Sequence, residues 1–148
     1  MSDLLPKLRN ISVDPRSLYL DPNNPRFITK ESDRVSEDMF LDRQVITNTN
    51  HKMLDDGNNI KQIVESIQVN GWQPVDSIFV RRFDDERFVV LEGNRRVTAI
   101  HQILDDDKTS DELKNQLAKI DVMEVTDKID KRRPEKSKKE LERKISYL

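Results

Sequence analysis

The chain has 148 residues, enough for one domain with a real core, and it contains no cysteine, which excludes disulfides, thiolate zinc sites and thiol nucleophiles. Only 34% of its residues are hydrophobic and 36% are charged, with no apolar run of membrane-spanning length and no signal-peptide pattern, so a soluble, cytoplasmic protein without membrane partners is expected. The net charge of −2 is uneven: residues 1–126 hold 17 basic and 23 acidic side chains, and residues 127–148 hold 9 basic and 5 acidic, a basic tail compatible with nucleic acid or with a salt-bridged helix.

Residues 1–13 have no clear period. They read as an N-terminal extension or tether in which Leu4, Leu5, Leu8 and Ile11 make a short helical face. Residues 14–126 form the expected domain, and residues 127–148 a charged helical tail. Leu18–Phe27, LYLDPNNPRF, is a short extended run meeting two prolines, which forbid helix. Asn23 and Asn24 suit a turn, and Arg26 projects from it. Such a loop is either a plain Asx-Pro turn or a ligand-facing element.

A helix is expected over Ser36–Leu54, with Met39, Phe40, Val45 and Ile46 as its apolar face and the Asn-rich Thr47–His51 as its weaker half. After a loop at Asp55–Asn59, residues Ile60, Ile63, Val64 and Ile67 follow the i, i+3, i+4, i+7 spacing of an amphipathic helix, capped by Asn59 and ended by Asn70-Gly71. Trp72 then serves as packing mass, and Pro74 keeps the next segment extended. Ser77–Arg82 and Arg87–Glu92 are β-rich runs joined by a turn at Phe83–Glu86, a hairpin. From Asn94 a helix places Val97, Ile100, Ile103 and Leu104 at core spacing, and Asp105–Asp107 ends it. Thr109–Glu112 is a capping-box start for a short helix through Leu117, and Lys119–Val125 alternates like a third strand. Pro134 opens a charged helix with Glu135/Lys139 and Glu140/Lys144 at i, i+4 spacing and an apolar seam of Leu141, Ile145 and Leu148. The partner of that seam is expected on this domain, on another copy, or on a further domain to which the helix is a linker. Together the elements predict an α+β fold, a small mixed sheet surrounded by helices.

The chemistry concentrates at Glu92-Gly93-Asn94-Arg95-Arg96, where a strand turns into a helix. A helix N-terminus presents unpaired N–H groups and the positive end of the macrodipole, and arginine grips phosphate oxygens in pairs, so this turn is suited to a phosphate. Gly93 lets a ligand approach the backbone, and Glu92 is placed to hold a metal, a ribose hydroxyl or an attacking water. The bland alternative is a tight turn with a capping glutamate and solvated arginines. His51 and His101 pair with no carboxylate at metal-binding spacing and are expected to be structural or exposed. Asp84-Asp85-Glu86 and Asp105–Asp107 lack the spaced loop of a calcium site and read as solvated turns.

Three separated stretches, LDPNNPR, then IKQIVESIQVNGWQPV leading to IFVRR, then VVLEGNRRVTAIHQIL, together resemble in order and spacing the N-terminal domain of the ParB family, within the ParB/sulfiredoxin superfamily. The match covers residues 18–104, with KIDVMEV as the usual later strand. The resemblance implies that Gly93, Asn94, Arg95 and Arg96 bind nucleotide phosphates with Asn24 and Arg26 beside them. It further implies a nucleoside triphosphate with Mg²⁺ and at most slow hydrolysis as a CTPase or ATPase, for which the residues themselves, rather than the resemblance, offer Glu92 as the catalytic candidate. Sulfiredoxin chemistry needs a cysteine that the chain lacks. Asn94 stands where ParB carries a glutamate, which leaves Glu92 as the residue to hold metal or water, and no helix-turn-helix follows. The competing readings are a non-catalytic DNA-binding or partner-docking module and a metal-dependent nuclease.

Overall fold

Phe88, Val89 and Val90 are all buried, and consecutive buried residues mean a strand covered on both faces, which belongs inside a sheet. That strand is the fourth of five in the computed structural model, which describes residues 5–55, 59–73, 78–128 and 132–146. The strands are β1 (Leu8–Val13), β2 (Leu18–Leu20), β3 (Phe79–Arg82), β4 (Phe88–Glu92) and β5 (Ile120–Val125). The helices are α1 (Arg43–Leu54), α2 (Ile60–Asn70), α3 (Asn94–Asp105), α4 (Asp111–Gln116) and α5 (Pro134–Ile145), with single 3-10 turns at Pro15–Ser17, Glu31–Asp33 and Glu37–Met39. The sheet order is β1-β5-β3-β4-β2. β1/β5 and β3/β4 are antiparallel, whereas β3/β5 and β2/β4 are parallel, so the sheet is mixed, as expected for an α+β chain. A register irregularity between Phe79 and Val80 bends β3 beside the end of β4.

Two strands exceed the three that the sequence pattern predicts. Leu8–Val13, expected as a tether with a helical face, is β1, with Leu8 opposite Val125 and Val13 opposite Ile120. An edge strand that fully buries only Val13 needs little hydrophobic signal, because β5 supplies its ladder. The helix expected from Ser36 begins later. Asp42 accepts hydrogen bonds from Gln44 N and Val45 N and so starts α1 at Arg43, leaving Glu37–Met39 as a 3-10 turn. The Asn-rich half is thus the helical half. Thr49 Oγ1 donates to Val45 O at 2.8 Å, and Met53 is fully buried.

α2 and α3 pack on each other over a core of Ile60, Ile67, Ile78, Val80, Val90, Val97, Ile100, Ile103 and Val122. Gly71, at φ +75, ends α2, with its N–H donating to Ile67 O at 2.8 Å. Asn59 precedes α2 in a left-handed conformation (φ +57) and its side chain makes no capping bond, contrary to expectation. Trp72 is half-buried against the core, as packing mass should be. Ser110 caps α4 through Leu113 N at 3.2 Å. Pro74 with its extended segment, Ser77 at the expected strand start, most of the Asp55–Asn59 loop and Leu148 of the apolar seam lie outside the described residues.

Phe40, Val89, Val125 and Leu141 are buried outside the main core. Leu141 belongs to α5, so this helix covers part of its own domain. Its charges follow tertiary partners: Glu135 pairs with Arg34 at 3.0 Å rather than with Lys139, and Lys144 reaches Asp127 at 2.8 Å. The Lys144–Asp127 pair is partly buried and so screened less than a pair on the helix surface, whereas Arg34–Glu135 is exposed. No described helix is long and apolar enough to cross a membrane.

Candidate functional site

Gly93 joins β4 to α3 at φ +100, a conformation that side chains rarely adopt. A Cβ built there would lie 3.1 Å from Ile78 Cγ1 and 3.3 Å from Ile78 Cα. Ile78 is 1% exposed and has no room to yield. Backbone geometry and the tight approach to Ile78 therefore both require glycine. Gly93 offers no capping side chain, so the N-terminal N–H groups of α3 are left to solvent or ligand. Val97 N closes the first turn on Gly93 O at 3.0 Å, and Thr98 Oγ1 donates to Asn94 O at 2.9 Å, fixing that end of the helix.

The turn opens onto a cleft of about 1220 Å³. From this turn Glu92, Gly93, Asn94, Arg95 and Arg96 line it; from the loop after β2 come Asn24 and Arg26. All seven residues singled out in the sequence therefore meet around one space, although nearly seventy positions separate the two segments. Arg95 is exposed, Arg96 is half-buried and Glu92 is exposed at the end of β4.

The loop that presents Arg26 is an Asx turn, as its composition suggests. Asp21 Oδ1 accepts from Asn23 N at 2.8 Å and Asn24 Oδ1 from Arg26 N at 3.0 Å. The buried Asn23 anchors it, donating through Nδ2 to Val35 O at 2.7 Å and accepting from Val35 N at 2.8 Å. The loop is thus both a structural turn and a wall of the cleft. Asn94 is buried, and its Oδ1 has no hydrogen-bond partner among the described residues. Such an acceptor costs about 1 to 3 kcal/mol, which a hydroxyl or N–H donor would recover.

Residues that sequence reasoning did not single out complete the cleft. α2 contributes Gln62 and Ser66 beside Ile63 and Ile67, and two further carboxylates, Asp21 and Glu142, stand on its wall. Burial pushes the Asp21 carboxyl above its ordinary value, outweighing the Asn23 N–H bond and the charges of Arg81 and Lys138. Burial and the neighbouring Asp21 carboxylate push Glu142 up as well. Asp21 sits inside the DPNNPR stretch and was available as a signal. Glu142 looks like any other charge on α5.

Behind this wall lies a polar knot. Glu37 receives Arg81 Nη2 at 2.7 Å and Lys138 Nζ at 2.6 Å, and both cations stand over the Phe40 ring, at 5.8 and 5.3 Å. Burial would raise the Glu37 carboxyl, but the two cations outweigh it and hold it below its ordinary value. Arg81 Nη2, though at ion-pair distance, is not aligned for a hydrogen bond.

His101 is structural, as expected: its Nε2 donates to Pro15 O at 2.7 Å, and burial lowers its pKa against the pull of that carbonyl. His51 is exposed. Asp84 accepts from the N–H groups of Glu86 and Arg87 at 2.9 and 2.8 Å, as a solvated turn requires. Among the described residues no group of three or more His, Asp or Glu could hold a metal. Compared with known proteins, the chain matches no family model, no curated protein and no solved structure.

Proposed function

We propose that the chain is a ParB-like nucleotide-binding domain of a DNA-associated protein, taking a nucleoside triphosphate with Mg²⁺ at the Gly93–Arg96 turn. One observation carries the reading: the cleft gathers Arg26, Arg95 and Arg96 around the uncapped N-terminus of a twelve-residue helix. Three guanidinium groups, backbone N–H donors and a helix dipole in one concavity are the chemistry that binds a phosphate chain. Its volume exceeds the roughly 300–1,000 Å³ typical of small-molecule pockets, so size does not exclude a nucleotide.

Mg²⁺ is commonly held by one or two carboxylates together with substrate phosphates and water, rather than by an all-protein cage. Carboxylates on the cleft wall fit that mode, with Glu92, Asp21 and Glu142 as the available oxygen donors. The ion would neutralise phosphate charge. Arg95 and Arg96 would orient the phosphates, Arg26 would close on them from the opposite loop, and Glu92 would hold a water or the metal, supporting at most slow hydrolysis. Calorimetric titration with each of the four nucleoside triphosphates in Mg²⁺ tests the reading. Binding that Arg95→Ala weakens at least about tenfold supports it, and no heat with any nucleotide, or equal affinities in the two proteins, overturns it.

A further inference from the structure

We infer that α5 is a charge-latched cover of the cleft: docked, it holds Glu142 beside Asp21 and weakens the binding of a bare polyphosphate at the Gly93–Arg96 turn. The inference rests on the phosphate reading of that turn and adds its regulation.

The latch is visible in what holds the helix. Arg34–Glu135 (3.0 Å), Glu37–Lys138 (2.6 Å) and Asp127–Lys144 (2.8 Å) fasten it to three separate parts of the body. Among its described side chains only Leu141 is fully buried. One leucine is a small return against the entropy of ordering twelve residues, so attachment depends on the ion pairs. Added salt screens such pairs where they are solvent-exposed.

The gate is visible in where the helix points. At 100° per residue, Lys138, Leu141, Glu142 and Ile145 share the face turned to the body, while Lys136, Lys139, Glu140 and Arg143 share the outer face. Glu142, Ile145 and Ser146 line the cleft directly. Among the described residues Glu142 makes no ion pair, and the carboxylate that acts on it most strongly is Asp21 on the same wall. A phosphate chain entering the cleft meets two carboxylates on that wall, and like charges repel across it. Loosening α5 withdraws one of them.

The test titrates the full chain with sodium tripolyphosphate in metal-free, low-salt buffer, comparing wild type, Glu142→Gln and Glu140→Gln. Removing one carboxylate at the cleft wall should tighten binding about three- to tenfold. Glu140→Gln, the same charge change on the outer face, should leave affinity within about twofold. In parallel, amide exchange in α5 should speed up when salt rises from about 50 to about 500 mM, and again when tripolyphosphate saturates the wild type. Equal affinities of wild type and Glu142→Gln, or α5 exchange indifferent to both salt and tripolyphosphate, overturn the cover alone. No heat from any of the three proteins overturns the phosphate reading and the cover with it.

Discussion

Replacing Gly93 with alanine asks two things of the chain at once. The backbone there sits at φ +100, outside the regions open to L-residues, and holding a non-glycine residue so costs about 1 to 3 kcal/mol. The new methyl also meets Ile78 Cγ1 at 3.1 Å and the Ile78 main chain at 3.3 Å. Because Ile78 is buried and its carbonyl oxygen accepts a hydrogen bond from Met123 N of β5 at 2.8 Å, the clash has little room to relax. Together these amount to about 2 to 5 kcal/mol, which in a domain of this size lowers Tm by roughly 5 to 15 °C. Differential scanning calorimetry of Gly93→Ala measures it. A melting temperature equal to that of the native chain would refute the account of this turn.

The packing and charge accounts make further predictions. Ile100, 0% exposed on the inner face of α3, should cost about 3 kcal/mol when cut to alanine and about 1 kcal/mol when cut to valine, read from urea midpoints. Asp21, whose pKa burial raises, contributes stability below its unfolded value that is lost as pH rises through its folded value. Asp21→Asn, which keeps an acceptor for Asn23 N, should therefore raise Tm at neutral pH and give no gain in acid. Glu124 has the opposite sign. Burial alone would raise it, but Arg9 at 2.7 Å and Arg82 at 3.4 Å outweigh burial, so its stabilisation is present above its unfolded value and lost as pH falls through its folded value. Glu124→Gln should destabilise at neutral pH and converge on the native chain in acid, seen in parallel pH series of thermal melts.

How much could be read without coordinates follows from how local each signal was. α2, α3 and the β3–β4 hairpin announce themselves through apolar spacing within a dozen residues, and Gly93 through its place between strand and helix. β1 does not, because its stabilising partner β5 lies more than a hundred positions away and Arg9, Asn10 and Ser12 are exposed. Asp42 was a capping residue in plain sight, but the apolar residues Met39 and Phe40 before it suggested an earlier helix start. The seven site residues could be named from two short stretches, yet their meeting around one cleft depends on β2 pairing parallel to β4, which no local pattern reveals. Glu142 was illegible for a different reason: on a helix where most residues are charged, only docking decides which charge enters the cleft.

The central claim is that Gly93–Arg96 binds a nucleotide's phosphates, and titration calorimetry of wild type and Arg95→Ala with CTP, ATP, GTP and UTP in Mg²⁺ addresses it most directly. Arg95 is exposed, so its removal should leave the melting temperature unchanged while deleting a charge-assisted phosphate contact. Such a contact contributes roughly 1.5 to 3 kcal/mol, so affinity for at least one nucleotide should fall by about tenfold to a hundredfold or more. Absence of heat with all four nucleotides, or equal affinities in the two proteins, would contradict the account.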